Sequence, residues 1–409
     1  MIPLRYNYRN LMIRWRTTLL TAVGFTLVVA LLVVMLAFVR GLAALAENAG
    51  HPGNVIILKD GANDELFSEI NIDDVHKTLF SLWSGDDLVA RDPDGSVWVS
   101  MEVYGIATQE LPAAEPSGRP SYRFIQIRGT EDPIMAGKVH ALRLQPGGNW
   151  FDRSGSQCVI GDGIARMLGL KIGDTFRARP GLPPLWQVVG IIDSAGSPFD
   201  SEIWAKREDV GKYFGKDNEE RKQSLYTTIV LRLPSYEIAS KACEYYRDIP
   251  DIKVNAMPEK DYYQKLTENT RTFQVSAIVI AIIMAVGGCF GLMNTMFAAV
   301  AQRVKDIGVL RIIGYSKLQI LLSFLMESLL IALLGGVLGV LIGLGVNGIE
   351  QKGQLSSGQG GGNKTVVFKM VVDHEVIKVA CIFTAMMGLL GGIIPAVSAM
   401  RIKPLDAVR

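Results

Sequence analysis

Two long apolar runs of this chain are joined by the segment Gln302-Arg303-Val304-Lys305-Asp306-Ile307-Gly308-Val309-Leu310-Arg311-Ile312-Ile313-Gly314. No charged residue occurs from Thr272 to Gln302 or from Ser328 to Ile349. Each run is long enough to cross the roughly 30 Å of hydrocarbon in a bilayer as a helix. We therefore expect residues 272–302 and 319–346 to be membrane spans.

The joining loop, residues 303–318, is basic. It carries one acid, Asp306, against Arg303, Lys305, Arg311 and Lys317, and short loops with this bias stay on the cytoplasmic side. Val304, Ile307 and Leu310 recur at helical spacing, which predicts a short amphipathic helix. Retention of the loop in the cytosol explains only its charges. A role as a docking element for a cytosolic partner also explains its apolar face and the glycines at 308 and 314.

The composition indicates a protein that is part membrane and part soluble. Of its 409 residues, 49% are hydrophobic and 20% are charged, and a net charge of +2 favours neither nucleic acid nor an acidic substrate as a partner. The four cysteines form no CxxC pair, so metal-ligand spacing is absent from the sequence. Whether Cys158 and Cys243 form a disulfide stays open.

The amino end predicts a further span at residues 17–39. Residues 1–16 carry arginines and no acid, so this interfacial segment is expected in the cytoplasm. A cleaved signal peptide is the alternative, because Ala44-Leu45-Ala46 resembles a cleavage site. The apolar run exceeds the usual length of about 7 to 15 residues for such a peptide, which favours a retained span.

Residues 40–271 change character and predict an α/β domain on the outer side of the membrane. Turn-forming residues separate short β-type runs, and helices are expected around Ile164–Leu168 and over Tyr236–Asp248. The stretch Pro112–Pro120 offers a subdomain break. The β-type runs are Val55–Leu58, Phe124–Ile127, Val188–Ile192 and Thr228–Leu233.

The remaining chain predicts an outer connector at residues 347–375, a fourth span at 376–400 and a cytoplasmic tail at 401–409. The connector is glycine-rich and expected to be flexible. Part of it nearly matches GxxxxGK[ST], but Asn363 replaces the second glycine and the stretch lies between two spans on the outer face, so we expect no nucleotide site. The fold class is thus an α-helical membrane protein with four transmembrane helices and a large extracytoplasmic α/β (α+β) domain between the first and second spans.

Patterns that carry catalysis are absent from the sequence. The four histidines are scattered, no HExxH or GxSxG motif occurs, and adjacent acids such as Asp73-Asp74 are typical of a solvated surface. We expect no catalytic, cofactor or metal site in this chain.

Glycines at every fourth position mark smooth faces on the spans, where another helix can approach closely. Packing within one chain and a dimer seam explain them equally well. Glu327, at the cytoplasmic start of the third span, predicts an inner-interface ion pair with Arg303, Lys305 or Arg311. The glycines are Gly287 and Gly291 in the second span, Gly335, Gly339 and Gly343 in the third, and Gly388 and Gly392 in the fourth.

Several stretches resemble MacB/FtsX-type (LolC/LolE-like) ABC transporter permeases. The resemblance covers both ends and the carboxy-terminal third strongly, and the middle moderately. The stretches are Asn294-Thr295-Met296, Asp306-Ile307-Gly308, Phe324-Leu325-Met326-Glu327-Ser328, Asp406-Ala407-Val408-Arg409 and, in the outer domain, Gly155-Ser156-Gln157-Cys158-Val159-Ile160-Gly161.

The resemblance implies a permease subunit that works with a separate ABC ATPase, on which ATP and Mg²⁺ bind. The loop 303–318 would be the coupling helix. The resemblance further implies a homodimer or a pair with a homologous permease in the bacterial inner membrane, with both termini cytoplasmic, and a periplasmic adaptor and membrane lipid as further candidate partners. By this resemblance, the ATPase contact would be made by Arg303, Lys305, Asp306, Ile307, Gly308, Arg311 and Gly314.

Two functions agree with this architecture. The first is export or extraction of an envelope substrate, such as a lipid, lipoprotein, peptide or small toxic molecule, by an outer domain that ATP hydrolysis moves. The alternative is an ATPase-linked regulator of an envelope protein, such as a cell-wall hydrolase, without transport. The size of the outer domain favours transport.

Overall fold

The computed structural model describes residues 9, 12–13, 15–83, 89–111, 121–152, 155–179, 184–194, 196–218, 223–249, 253–266, 270–355 and 364–402. The expected subdomain break at Pro112–Pro120 lies outside these residues, as do most of the amino-terminal segment, the centre of the connector and most of the tail. The chain forms two compact units. The membrane unit consists of Met1–Gly41, Thr272–Ile349 and Lys369–Arg409, and the outer unit of Leu42–Arg271 and Glu350–Phe368.

The helices and strands follow one another along both units. The helices are α1 (Trp15–Glu47), α2 (Ile72–Trp83), α3 (Pro133–Val139), α4 (Asp162–Leu168), α5 (Arg207–Tyr213), α6 (Tyr236–Asp248), α7 (Glu259–Leu266), α8 (Thr270–Gln302), α9 (Val304–Ile313), α10 (Lys317–Leu344) and α11 (His374–Met400). The strands are β1 (Asn54–Lys59), β2 (Ile70–Asn71), β3 (Val99–Leu111), β4 (Ser121–Thr130), β5 (Arg143–Leu144), β6 (Gln157–Gly161), β7 (Thr175–Arg177), β8 (Leu185–Asp193), β9 (Glu202–Lys206), β10 (Asp217–Asn218), β11 (Gln223–Tyr226), β12 (Thr228–Arg232), β13 (Val254–Pro258), β14 (Glu350–Leu355) and β15 (Lys364–Lys369).

The four expected spans are present as helices. In the described residues, the stretches long and apolar enough to cross a membrane are Trp15–Leu45, Val275–Gln302, Lys317–Leu344 and His374–Met400. Helix α1 continues past Val39, the expected end of the first span, to Glu47, so that the triplet Ala44-Leu45-Ala46 is helical.

Most of the glycine stripes pack helices of this chain against one another. A Cβ atom at Gly335 of α10 would lie 2.5 Å from Phe25 Cβ of α1, and one at Gly392 of α11 would lie 2.1 Å from Ser328 Oγ of α10. Gly339 and Gly343 meet α1 in the same way, and Gly388 meets α10. Gly287 and Gly291 of α8 differ, because a Cβ there would meet no described atom within 4 Å. Packing within the chain therefore accounts for the stripes of α10 and α11, but not for Gly287 and Gly291 of α8.

A ten-stranded sheet forms the centre of the outer unit, in the order β13-β1-β12-β3-β4-β9-β6-β8-β5, with β7 paired to β8. Neighbouring strands run antiparallel except for β4 with β9 and β6 with β8. Strand β1 is apolar at consecutive positions because both faces of the sheet are covered: Val55 and Ile57 pack on one side, and Ile56 and Leu58 on the other. The expected β-type runs and both expected helices are confirmed.

Cys158 and Cys243 are both buried and free. They belong to different hydrophobic clusters of the outer unit, on β6 and α6 respectively. Burial raises the pKa of each thiol to about 12. Cys158 and Cys243 therefore form no disulfide, and each thiol packs in its own hydrophobic cluster.

The glycine-rich centre of the expected connector lies outside the described residues, so its flexibility stays a prediction. The connector, residues 347–375, also contains regular structure. Its two arms are strands β14 and β15, which pair with each other as a two-stranded sheet. The hairpin is fixed to the outer unit by an ion pair of 2.5 Å between Glu350 and Arg166 and by the Val367 amide, which donates to Ser201 Oγ at 2.8 Å. Glycine dominated the composition of the stretch and concealed the short apolar run of β15, which is buried.

Candidate coupling surface and a buried charge network

The basic loop of the membrane unit is a helix with defined ends. Helix α9 ends at Gly314, whose φ of 108° lies in the left-handed region that glycine tolerates best. Helix α10 begins directly afterwards with a capping box, in which Ser316 and Gln319 satisfy each other's backbone amides. Because both ends are fixed, the direction of α9 relative to α10 is set by the backbone itself.

A buried ion pair holds the start of α9. Arg303 donates from Nη1 and Nη2 to the two carboxylate oxygens of Glu327, at 2.9 and 3.2 Å. Both side chains are less than one tenth exposed. Three basic partners were candidates for Glu327, and the structure pairs it with Arg303. The two parallel hydrogen bonds are a geometry that arginine forms and lysine does not.

The structure divides the seven expected contact residues into two groups. Arg303, Ile307 and Gly308 are buried inside the membrane unit, where they fix α9. Lys305, Asp306 and Gly314 are exposed, and Arg311 is half-buried and donates to the Tyr315 carbonyl at 3.5 Å. The exposed group is therefore the part of the loop that a partner can reach.

Three apolar residues of α9 that the sequence analysis did not single out are also exposed. Val309, Ile312 and Ile313 are 49%, 62% and 69% exposed. Positions 305, 309, 312 and 313 recur at helical spacing and thus lie on one face. We call the five residues Lys305, Asp306, Val309, Ile312 and Ile313 the coupling surface. Exposed apolar side chains edged by charge are typical of a protein docking site and supply no catalytic group.

A second feature, in the outer unit, is a network of buried charges centred on Arg128 of β4. Arg128 is only 1% exposed and contacts three glutamates. Its Nη1 lies 2.7 Å from Glu65 Oε1, its Nε lies 2.7 Å from Glu202 Oε2, and Nη1 also donates to Glu102. Burial alone would raise the pKa of Glu65, but Arg128 and Lys364 hold it well below its usual range.

His140 extends this network as a charged residue. Its Nε2 lies 2.7 Å from Glu102 Oε1, and its Nδ1 lies 2.9 Å from Glu259 Oε1 at ion-pair distance without hydrogen-bond alignment. Burial lowers the pKa of His140, but Glu102 and Glu259 outweigh it and raise the pKa to about 10. The imidazole is therefore protonated at neutral pH.

Lys364, the first residue of β15, enters the same network. Its Nζ lies 3.0 Å from the Tyr262 hydroxyl and 3.3 Å from Glu65 Oε2, and it stands 4.5 Å above the Tyr104 ring. The residue was hidden from sequence analysis because it follows a glycine-rich stretch without periodicity. The three cations Arg128, His140 and Lys364 thus face four glutamates in this network. The described residues contain no group of His, Cys, Asp and Glu arranged to hold a metal.

An outer α/β unit inserted after the first of four spans, with a short exposed helix between the second and third, defines a membrane subunit of the transporter-permease class. A family model of the MacB-like periplasmic core domain matches residues 18–242, more than half of the chain. A model of the FtsX-like permease C-terminal domain matches residues 278–404. The chain belongs to the MacB/FtsX-type family of ABC transporter permeases.

Individual relatives agree with this family. A macrolide export ATP-binding/permease protein MacB of Pasteurella multocida is 25% identical over 420 residues, which cover 96% of this chain and 57% of the relative. An uncharacterised ABC transporter permease of Methanocaldococcus jannaschii is 26% identical over 275 residues, 64% of each chain. A MacB of Acinetobacter baylyi is 36% identical over 142 residues, 35% of this chain and 20% of its own length. The chain thus spans less than two thirds of the length of these relatives.

Proposed function

We propose that this chain is the permease subunit of an ABC transporter of the mechanotransmission type. In this proposal a separate cytosolic ATPase binds ATP and Mg²⁺ and docks on the coupling surface. ATP hydrolysis then moves the outer unit, which exports or extracts an envelope substrate. The chain lies in the bacterial inner membrane with both termini in the cytosol, and it pairs with a second permease.

The observation that carries the proposal is the division of α9 into a buried side and an exposed side. Ile307 is 2% exposed and packs into the core of the membrane unit, while Ile312 and Ile313 are 62% and 69% exposed. A partner that pushes on the exposed side would therefore move a helix that the Arg303–Glu327 pair connects firmly to α10. A loop retained in the cytosol only for topology needs no exposed isoleucines.

Chain continuity offers a route for this movement. Helix α10 is packed on α1 and α11 through glycines, so these three helices are suited to move together. The chain then leaves α10 at Leu344 and enters the β14–β15 hairpin at Glu350, which is anchored in the outer unit through Lys364. No pore is required for this mechanism, because force passes along the backbone.

The proposed partner permease has a candidate contact on α8. Only 17% of the apolar window of this helix is buried, less than for any other candidate span in the described residues. Gly287 and Gly291 lie open on the same helix. We assign this helix to the contact between two permeases, which also accounts for two glycines that pack against no described residue.

The test is co-purification of the full-length chain with ABC-type ATPases from the same organism. Ile312→Asp and Asp306→Ala in the full chain are expected to reduce capture of the ATPase and its stimulated ATP hydrolysis, without a change in thermal stability. Ile134→Asp is the matched control, because Ile134 is an isoleucine of the outer unit with a similar exposure of 56%. Unchanged capture and hydrolysis in both coupling-surface variants would refute the role of α9.

A transport function and a regulatory function are then separated in vesicles. Transport predicts that the coupled complex removes a lipid-linked or small amphipathic probe from the membrane in the presence of ATP, and that Ile312→Asp abolishes this. If hydrolysis is coupled but no probe moves, while an envelope hydrolase is activated, the regulatory alternative replaces export.

A further inference from the structure

A groove with polar walls lies in the membrane unit, between the first residues of α1 and the last turns of α8. Its volume is about 460 Å³, and its walls include Trp15, Arg16, Asn294, Ala298 and Gln302. It is separate from the coupling surface and has no part in the proposed ATPase contact. Asn294 lies within a candidate span, where a hydrogen-bonding side chain is unusual because lipid cannot satisfy it.

The groove presents hydrogen-bond donors whose partners are not found in the described part of the chain. Asn294, Ala298 and Gln302 are spaced by four and thus form one stripe on α8, with the small Ala298 leaving room between the two amides. Asn294 lies about 12 Å inside Gln302 along the helix axis. Thr295 is already engaged, because its hydroxyl donates to the Leu292 carbonyl at 2.8 Å.

Arg16 gives the groove its positive charge. Its guanidinium carbon stands 5.5 Å from the centre of the Trp15 ring, and no described carboxylate pairs with it. Tryptophan prefers the boundary between lipid and water, which places the pair at headgroup level. A guanidinium beside two amides binds an anion with several oxygen atoms, and a phosphate is the anion that a membrane surface offers.

An apolar strip begins at this arginine. Leu20, Val23 and Leu27 follow Arg16 at helical spacing and therefore lie on the same face of α1. They are 74%, 45% and 65% exposed. A headgroup at Arg16 would thus have its acyl chains against an open hydrocarbon surface. A soluble anion would make no use of this strip.

We propose that Arg16, Asn294 and Gln302 bind the headgroup of an anionic phospholipid whose acyl chains lie along the Leu20 to Leu27 face of α1. The contact proposed above between two permeases lies around Gly287 and Gly291, nearer the middle of α8 than the groove. In the groove itself a second copy of this chain is a weaker occupant. It would bring the arginines of its own residues 1–16, a stretch without an acid, to the same side of the membrane, where like charges repel. The inference does not depend on the transported substrate.

The fluorescence of Trp15 can report which lipid lies in the groove. The chain has six tryptophans, and Trp15 is the one that belongs to the membrane unit. The full-length protein is reconstituted in vesicles of phosphatidylglycerol and phosphatidylcholine in equal amounts, with bromine on the acyl chains of one lipid or the other. The fluorescence lost to bromine, corrected with the Trp15→Phe variant, reports which lipid occupies the groove.

Brominated phosphatidylglycerol is expected to quench Trp15 more strongly than brominated phosphatidylcholine. Arg16→Gln should reduce this selectivity about fivefold, the effect of one basic residue at an anionic surface, and Asn294→Leu should reduce it less. Lys317→Gln is the matched control, because this exposed lysine lies outside the groove and its loss should leave the selectivity unchanged. Thermal unfolding of each variant verifies that it is folded.

Four results would overturn the proposal. Equal quenching by both lipids in the wild-type protein, or selectivity that survives Arg16→Gln, means that the groove does not recognise the headgroup. Quenching by neither lipid means that protein, such as a second copy, covers it. Selectivity erased by inorganic phosphate means that the ligand is a soluble anion.

Discussion

Lys364 and Glu65 are 299 positions apart in the chain, yet Lys364 Nζ lies 3.3 Å from Glu65 Oε2 in the buried network of the outer unit. Lys364 opens β15, which is followed by the fourth span, and Glu65 lies between β1 and β2. The contact therefore ties the last outer segment of the chain to the first part of the outer unit. Its lysine is 7% exposed and its glutamate 1%.

Removal of this lysine should destabilise the outer unit. Lys364→Met leaves Glu65 with one cation fewer in a buried site, and breaking a buried ion pair typically costs about 3–5 kcal/mol. Lys369→Met removes the same charge from an exposed position of the same strand and should change stability by less than about 0.5 kcal/mol. Thermal unfolding of the detergent-solubilised protein, followed by tryptophan fluorescence, measures both. Equal effects of the two substitutions would contradict a role for Lys364 in the network.

The stability of the outer unit should decrease on the alkaline side of neutrality. The folded pKa of His140, about 10, lies above its ordinary value of 6.5. The stabilisation by His140 is therefore fully present below about pH 6.5 and is lost as the pH rises through about 10. Between about pH 7.5 and 8.5 the free energy of unfolding should fall by up to about 1.4 kcal/mol per pH unit.

Denaturant unfolding at several pH values tests this dependence. His140→Gln should be less stable than the wild type at pH 7 and should show a flatter pH profile over the same interval. The pKa of Glu102 is lowered by Arg128 and His140 against the effect of burial, so its own contribution is lost in acid. A wild-type profile that is flat from pH 7.5 to 8.5 would show that His140 is not charged in the folded protein.

The Arg303–Glu327 pair should behave as a unit. Arg303→Ala and Glu327→Ala each leave a buried charge unpaired, and each should cost about 3–5 kcal/mol in stability of the membrane unit. The double substitution should cost clearly less than the sum, with a coupling energy above about 1 kcal/mol. Arg303→Lys keeps the charge but not the two parallel bonds, and an intermediate loss is expected. Additive losses in thermal unfolding would argue against the pair.

Substitutions at two glycines distinguish a glycine that packs helices within this chain from one that contacts a partner. Gly335→Leu should prevent folding of the membrane unit, because its Cβ would lie 2.6 Å from the Ala22 carbonyl oxygen. Gly287→Leu meets no described atom and should leave the melting temperature of the monomer unchanged. If α8 forms the contact between two permeases, Gly287→Leu lowers the dimer fraction seen by mass photometry. A dimer fraction equal to that of the wild type places the contact elsewhere.

The parts of the fold that could be predicted from sequence rest on local patterns. Uncharged stretches of the length of a bilayer predict the four spans, and the spacing of Val304, Ile307 and Leu310 predicts α9. The helical spacing of apolar residues predicts a helix over Tyr236–Asp248, and the observed helix has these bounds, with Ser235 as its N-cap.

The parts that could not be predicted depend on distant contacts. Arg128 sits in an alternating strand, and its sequence neighbours do not reveal that three glutamates from other elements surround it. The exposure of Ile312 and Ile313 depends on which side of α9 packs into the core of the membrane unit, which no local pattern specifies. Glu327 is the exception: because it interrupts an apolar run, the sequence predicts that it forms an ion pair.

The position of Lys364 has a consequence for synthesis of the protein on the ribosome. Residues 42–271 emerge first, yet the cation that completes their interior is not made until the second and third spans have followed. While those helices enter the membrane, the buried network of the outer unit lacks one cation, because Lys364 is not yet there to pair with Glu65. A chain interrupted before residue 364 would lack this cation permanently, and its outer unit is expected to be less stable than that of the full-length chain.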